Sequence, residues 1–248
     1  MPVAKSVPVL FAAALCCHLQ AQAADKHWAY EGHGGPQEWG QIGKEFATCK
    51  IGKVQSPIDI RGARPAELPA LKFDYKPGLL KLIDNGHTIQ VNYAPGSSLE
   101  VGGVRYELVQ FHFHKPSEEK IDGKSHDMVA HLVHQGPDGK LAVVAVLLDK
   151  GGANPAIDAV WKNLPRQKEK ESVTDASIDA AMLLPADKGY YTFQGSLTTP
   201  PCSEDVRWFV LKTPVKMQQG QIATFGKLYK MNARPTQPLN GRTIEATR

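Results

Sequence analysis

The chain has 248 residues, of which 42% are hydrophobic and 22% are charged. These values are typical of a soluble globular protein and exclude disordered and fibrous classes. The net charge of +4 is too small and too dispersed to indicate binding to nucleic acid or to a membrane surface, so small molecules are the expected partners. No apolar run in the sequence approaches the roughly 20 residues that a bilayer-spanning helix needs.

Residues 1–24 follow the pattern of a secretory signal peptide. Lys5 supplies a positive charge, residues 7–17 form an apolar segment, and Ala-Gln-Ala at 21–23 is a cleavage signal. We therefore expect an exported protein, periplasmic or secreted, whose domain spans residues 25–248 and which has no membrane contact after cleavage. A buried N-terminal helix is one alternative, and a lipid anchor on a cysteine of the leader is another.

Two of the four cysteines lie in the predicted leader. Cys49 and Cys202 are then the remaining pair, and a disulfide is the expected state of such a pair in an oxidising compartment. Two independent free thiols are the alternative. A cysteine-based zinc site would need more thiolates at short spacing.

The mature chain has the pattern of a β-rich domain. Asp-Asn-Gly at 84–86 lies between two apolar stretches and predicts a hairpin with a tight turn. Residues 141–148 are apolar on both faces, as in a buried central strand. Strands are predicted at 79–83, 87–93, 106–114, 128–134 and 141–148, and helices at 154–164 and 218–231. The pattern favours a single, β-dominated α+β domain.

Three histidines are spaced as metal ligands. His112 and His114 are two residues apart on a predicted strand, so their side chains point to the same face. His131 lies on the next predicted strand, near enough along the chain to converge with them. Three imidazoles with an open fourth position are typical of catalytic zinc. Another metal that histidines bind, or ordinary strand histidines without a metal, are the alternatives.

Several motifs resemble those of the α-class carbonic anhydrases. They are Gln-Phe-His-Phe-His at 110–114, Ser-Glu at 117–118, Ala-His-Leu-Val-His at 130–134, Gly-Ser-Leu-Thr-Thr-Pro-Pro at 195–201 and Val-Arg-Trp at 206–208. Flanking matches extend the resemblance over essentially the whole mature chain, and the cysteine pair resembles the exported bacterial branch. The resemblance implies a large, mostly antiparallel, twisted central sheet with short peripheral helices, and a zinc ion at the bottom of a cleft.

The implied activity is reversible hydration of CO2 to bicarbonate and a proton, by attack of zinc-bound hydroxide on CO2. The implied metal ligands are His112, His114 and His131, with Gln110 and Asn232 orienting the ligand imidazoles. The implied catalytic residues are Thr198 and Glu118, which aim the hydroxide, and His87, which exports the proton. The implied substrate contacts are an apolar wall of Val133, Val143, Leu197 and Trp208, and the product contact Thr199. Tyr30, Asn85 and Gln90 are expected to order the connecting waters.

Two positions depart from the family pattern. Many members carry a glutamate that bonds the third ligand histidine where this chain has Val129, so the outer partner of His131 is left open. Glu119 stands beside Glu118, which leaves open which carboxylate bonds Thr198. The remaining histidines of the mature chain are expected to be structural or surface residues; they are His27, His33, His126 and His134.

Two other interpretations of the histidine pattern remain. A cupin would use His-x-His and Glu118 as metal ligands, but the chain has no second cupin motif, and a cupin leaves the Thr-Thr-Pro-Pro segment unexplained. An exported zinc-binding relative without activity is the non-enzyme alternative, although such relatives usually lack a ligand histidine. The sequence also leaves open whether the protein forms a homodimer.

Overall fold

The structure is a computed structural model that describes residues 27–248. The predicted leader and its cleavage site lie outside these residues. Among residues 27–248, no helix combines the length and the apolar character that crossing a bilayer requires.

Strands make up most of the regular structure. In chain order, strands β1 to β16 are Asp59–Ile60, Arg64–Ala66, Lys72–Asp74, Gly78–Asp84, Ile89–Asn92, Ser98–Val101, Val104–His114, Lys120–Ile121, Lys124–Ser125, Met128–Gln135, Leu141–Lys150, Ser172–Ile178, Tyr190–Gly195, Val206–Leu211, Val215–Met217 and Glu245–Thr247. Helices α1 to α4 are Trp39–Ile42, Thr48–Ile51, Pro155–Lys162 and Gln219–Leu228, and single 3₁₀ turns span Lys44–Phe46 and Ala180–Leu183.

One large sheet organises the domain. Its main path runs β12-β4-β5-β7-β10-β11-β14-β13-β16-β2, with β3, β6 and β15 attached, and β1, β8 and β9 form a small separate sheet. Most neighbours are antiparallel, but β11 pairs in parallel with both β14 and β15, so the sheet is mixed. The predicted β-dominated α+β fold with short peripheral helices is confirmed.

Strands β10 and β11 lie in the middle of this sheet and are covered on both faces over most of their length. On β10, Met128, Ala130 and Leu132 pack into one apolar cluster, and Val129 and Val133 pack into a second cluster on the other face. Side chains alternate between the faces of a strand, so burial of both faces requires apolar residues at nearly every position. This is why β11, predicted as a central strand, is apolar from Leu141 to Leu148.

The hairpin formed by β4 and β5 has a longer turn than predicted. Asp84 pairs with Ile89, which leaves a four-residue loop instead of a tight two-residue turn. Asn85 stabilises this loop, because its side-chain oxygen accepts hydrogen bonds from the main-chain N–H of His87 and of Thr88. Gly86 alone in the loop has a positive φ, of 84°. His87 therefore lies in the loop and not on a strand.

Both predicted helices are present but end earlier than expected. Asn154 caps α3 by accepting from the main-chain N–H of Ala156 and Ile157, with Pro155 in the first turn. Helix α4 ends at Leu228, and the following residues continue to β7, where the side chain of Asn232 accepts from the main-chain N–H of Lys115 at 2.7 Å. The end of α4 thus delivers Asn232 to the strand that carries two of the histidines.

Candidate active site

The three predicted ligand histidines converge on one face of the sheet. His112 and His114 lie on β7, and His131 lies on β10 directly opposite His112 in the antiparallel register. One ring nitrogen from each of the three lies within 4.8 Å of the other two. His114 and His131 are buried, and His112 is partly buried.

The two residues predicted to orient ligand imidazoles, Gln110 and Asn232, each contact one of them. Gln110 does so through its side chain and Asn232 through its main chain. Nδ1 of His112 lies 2.8 Å from Oε1 of Gln110, and Nδ1 of His114 lies 2.8 Å from the main-chain oxygen of Asn232. Asn232 thus meets the ligand through its main chain. Its side-chain amide instead donates to the main-chain oxygens of His87 and Phe113.

Glu119 supplies the outer partner of the third histidine. Its two oxygens lie 3.0 and 3.2 Å from Nε2 of His131. Val129, on the same face of β10, packs in the apolar cluster and offers no acceptor. The sequence left this partner open, because Glu119 lies on a loop and its distance from His131 along the chain gives no sign of contact.

The nitrogens that remain are suited to hold a metal ion. Because Gln110, Asn232 and Glu119 occupy one nitrogen of each ring, Nε2 of His112, Nε2 of His114 and Nδ1 of His131 are left for an ion. Nε2 of His114 is buried and has no hydrogen-bond partner. A metal ion would satisfy this atom, and three imidazoles fit zinc among the divalent metals.

Burial and charge act differently on the three rings. Burial lowers the pKa of His112 to about 3, and it lowers the pKa of His114 well below its usual range. Burial also disfavours charge on His131, but the adjacent carboxylate of Glu119 outweighs it and raises the pKa of that ring. His112 and His114 are therefore neutral at pH 7, which is the form that coordinates metals.

Glu118 faces the same site as Glu119 but has other partners. Its Oε1 accepts from the main-chain N–H of Arg234 at 2.7 Å, its Oε2 is buried without a hydrogen-bond partner, and the side chain of Thr198 lies near the carboxylate. Its Oε2 lies 3.5 Å from Nε2 of His114. Burial raises the pKa of Glu118 to about 7. Glu118, and not Glu119, is therefore the carboxylate that meets Thr198.

The sequence profile of eukaryotic-type carbonic anhydrases matches residues 34–248. The chain belongs to the carbonic anhydrase family. It is 43% identical over 235 residues to a carbonic anhydrase of Nostoc sp., covering 92% of this chain and 89% of the relative. It is 44% identical over 226 residues to the carbonic anhydrase of Pectobacterium carotovorum, covering 90% and 93%.

Solved carbonic anhydrases have the same fold. A hyperthermostable carbonic anhydrase from an active hydrothermal vent chimney superposes with a TM-score of 0.86 at 48% identity, covering 90% of this chain and 100% of that chain. The α-carbonic anhydrase of Thermovibrio ammonificans, solved with the inhibitor sulfanilamide, gives 0.86 at 42% identity, covering 90% and 99%. These similarities assign the chain to the carbonic anhydrases, and they exclude the cupin interpretation.

A cavity of about 380 Å³ leads to the three converging histidines, His112, His114 and His131. All the residues predicted to contact substrate or product line it: Val133, Val143, Leu197, Thr199 and Trp208. So do Thr198 and the predicted water-ordering residues Tyr30, Asn85 and Gln90. Nε1 of Trp208 donates to the main-chain oxygen of Ser196 at 3.1 Å, so the polar atom of this ring is satisfied and its carbon face is left for the cavity wall.

His87 also lines the cavity, in an arrangement that the sequence did not predict. Its ring is stacked on Trp28, with centroids 3.6 Å apart and planes inclined by 9°. The ring of His27 lies 5.7 Å away. Partial burial, together with the charges of His27 and Lys168, lowers the pKa of His87 to about 4.

A disulfide joins Cys49 to Cys202, as predicted, next to the loop that carries Thr198 and Thr199. The main-chain N–H of Cys202 donates to the oxygen of Thr199 at 2.8 Å. The guanidinium of Arg234 donates to the main-chain oxygen of Cys49 at 3.1 Å. The disulfide thus joins this loop to Cys49, and Arg234, whose main-chain N–H bonds Glu118, holds Cys49 in turn.

The four remaining histidines lie apart from the ligand set. His27 and His33 are exposed. Nδ1 of His126 lies 2.9 Å from Oδ1 of Asp149. His134 is fully buried on the opposite face of β10, where its Nε2 lies 2.8 Å from the hydroxyl of Tyr75.

Proposed function

We propose that the chain catalyses the zinc-dependent, reversible hydration of CO2 to bicarbonate and a proton. The observation that carries this proposal is the set of three ring nitrogens, within 4.8 Å of one another, whose rings are each held by an acceptor on the far side. His112, His114 and His131 hold the zinc. Zinc held by three histidines, for which carbonic anhydrase is the standard example, lowers the pKa of water to about 7 and so provides hydroxide at neutral pH.

Thr198 orients the nucleophile. With a zinc cation bound nearby, Glu118 would be ionised, because a nearby positive charge lowers the pKa of a carboxyl group. A neutral hydroxyl has one proton to donate and an ionised carboxylate can only accept, so the Thr198 proton goes to Glu118. The lone pairs of the Thr198 oxygen are then free to accept a hydrogen bond from the nucleophile, which turns the attacking lone pair toward CO2. The bond from the main-chain N–H of Arg234 to Glu118 keeps the carboxylate in place for this task.

The cavity wall binds CO2 without a polar clamp. The substrate is small, linear and has no net dipole, so apolar side chains suit it better than charged ones. Val133, Val143, Leu197 and Trp208 form this wall, and Thr199 contacts the product beside the nucleophile.

His87 carries the proton from the cavity to the solvent, along waters ordered by Tyr30, Asn85 and Gln90. A base with a pKa of about 4 takes a proton poorly from a donor with a pKa of about 7, since the transfer is uphill by about 3 pKa units, or about 4 kcal/mol. Transfer becomes easier where the His87 ring has more water around it, because hydration favours the charged form and raises its pKa.

The protein acts outside the cytoplasm, after removal of residues 1–24. Two features support this part of the proposal: the signal-peptide pattern of the N-terminus, and the disulfide between the two cysteines outside it. Disulfides persist in the periplasm and outside the cell and are rare in the cytosol.

The test is a metal titration of the purified domain. Chelator treatment should abolish CO2 hydration measured by stopped flow, and one equivalent of zinc should restore it. Sulfanilamide, the inhibitor bound to the Thermovibrio ammonificans enzyme, should block the restored activity. His131→Ala should lose both zinc and activity, and the control His126→Ala, which removes a histidine paired with Asp149, should keep both. Zinc-loaded protein with no rate above buffer would refute the proposal.

A further inference from the structure

Glu119 is a fully buried carboxylate that does not line the cavity. Its exposed fraction is 0%. Burying a carboxylate is costly unless a strong donor satisfies it. Nε2 of His131, at 3.0 and 3.2 Å from the two oxygens, is that donor.

The loop that carries Glu119 is tied to the start of β10. The hydroxyl of Ser117 donates to the main-chain oxygen of Glu119 at 2.7 Å and accepts from the main-chain N–H of His126 at 2.9 Å. The main-chain N–H of Ser117 returns a bond to the oxygen of His126 at 3.1 Å. His126 lies two residues before β10, so these bonds fix the loop relative to the strand that carries His131.

Strand β10 itself gives His131 no acceptor. Side chains two residues apart on a strand lie on the same face, and the neighbours of His131 on its face are Val129 and Val133. Both belong to the apolar cluster on that side of the sheet. The acceptor for His131 therefore has to come from another segment, and the loop after β7 supplies it.

The two adjacent glutamates serve different groups. Glu118 accepts from the main-chain N–H of Arg234 and lies near Thr198, whereas Glu119 contacts His131. Two carboxylates together match the charge of one divalent cation, which lowers the cost of burying the ion. A third carboxylate at position 129 would add unbalanced charge, and the valine found there agrees with this reasoning.

We propose that Glu119 is a positioning residue for the metal site, an inference that rests on the function proposed above. By accepting the N–H of Nε2, Glu119 turns Nδ1 of His131 toward the metal and so keeps the metal bound. In this chain a loop carboxylate does what a strand glutamate at position 129 does in many family members.

The test compares zinc retention in Glu119→Gln with that of a matched control. Replacing the outer partner of a metal-bound histidine typically weakens metal binding by about 10- to 100-fold, carbonic anhydrase being among the measured cases. We expect a loss of this size when the zinc-loaded chain is placed in excess chelator and zinc release is followed by a colorimetric indicator. The control is Asp84→Asn, which changes a buried carboxylate bonded to Tyr229 and Gly86 instead of to a histidine.

A second substitution distinguishes the carboxylate from local packing. Adding Val129→Glu to Glu119→Gln returns one carboxylate to the face of His131, and zinc retention should recover. Equal retention in wild type and Glu119→Gln, or an equal loss in Asp84→Asn, would overturn the proposal.

The wild-type chain provides a test that needs no variant. In the zinc-loaded protein, long-range ¹H–¹⁵N spectra should show His131 protonated at Nε2 and coordinated through Nδ1. A proton on Nδ1 of His131 would overturn the role of Glu119. Wild-type protein that binds no zinc would instead contradict the proposed function, so the two failures are distinguishable.

Discussion

His131 and His134 lie three residues apart on β10 and therefore on opposite faces of the same sheet. Both are buried, with exposed fractions of 1% and 0%. Burial lowers the pKa of His134 to about 4, and the ring contacts the neutral hydroxyl of Tyr75 instead of a carboxylate. On the other face, Glu119 reverses the effect of burial and raises the pKa of His131. The carboxylate partner, and not the degree of burial, accounts for the different pKa directions of these two histidines.

The largest effect on catalysis is expected on the cavity face, from Thr198→Ala. The variant should keep its zinc, because no ligand is removed, but kcat/KM for CO2 hydration should fall by about 100-fold, the typical loss when one aligned hydrogen bond at a reacting centre is removed. The control is Thr192→Ala, which removes a buried hydroxyl that accepts from Arg207 on β14. Loss of zinc from the Thr198 variant would make Thr198 a structural residue.

Removal of the disulfide should weaken the fold more than it weakens the metal site. The bridge spans 153 residues, for which chain entropy allows about 5 kcal/mol, and removal of a native bridge typically costs about 2 to 5 kcal/mol. Urea unfolding of the variant with both Cys49→Ser and Cys202→Ser should show this loss. Zinc should remain, because the ligands lie on β7 and β10 and not on the loop that the bridge braces. Two titratable thiols in the native protein would contradict the bridge.

On the opposite face, His134 should make the protein sensitive to acid. Its pKa is about 4 in the folded state and about 6.5 in the unfolded chain, so the unfolded state binds the extra proton between these values. Stability should therefore fall as the pH drops from about 7 to 4, with about 3 kcal/mol of the loss due to His134. His134→Gln, which can still bond Tyr75 but cannot take up the proton, should remove this part of the pH dependence in urea unfolding. An unchanged slope would refute this origin.

The smallest effect is expected at His87, which lies in a loop. His87→Ala should lower kcat by about tenfold, less than the roughly 100-fold typical of a well-placed base, because burial already depresses the pKa of this ring. Proton export follows product formation, so kcat/KM should stay nearly unchanged. Imidazole buffer should restore the rate, and the exposed-histidine variant His33→Ala should behave as wild type. A variant as fast as wild type in dilute buffer would make His87 a turn residue.

The sequence predicted best what depends on strand periodicity. Two-residue spacing placed His112 and His114 on one face, and continuous apolar character identified β11 as a central strand. Prediction from the sequence failed for contacts between segments that are distant along the chain and for the length of one loop. The loop around Asn85 is longer than a tight turn because side-chain bonds from Asn85 stabilise it, and the stack of His87 on Trp28 brings together residues that are distant along the chain.

In the metal site, too, some contacts could be predicted from the sequence and others could not. The ligands follow from strand spacing and from the resemblance, but their outer partners do not follow from periodicity. Asn232 meets His114 through a main-chain oxygen, an atom that every residue has, so the residue type gives no signal for it. Glu119 reaches His131 from a loop whose path is set by the bonds between Ser117 and His126. The sign available in the sequence was a second glutamate at position 119 together with valine at position 129.

The most direct test of the zinc centre is anomalous diffraction at the zinc edge from crystals of the zinc-loaded protein. A single peak is expected about 2.0 to 2.1 Å from each of three atoms: Nε2 of His112, Nε2 of His114 and Nδ1 of His131. A peak elsewhere in the molecule, or coordination through the nitrogen that Gln110, Asn232 or Glu119 holds here, would contradict it.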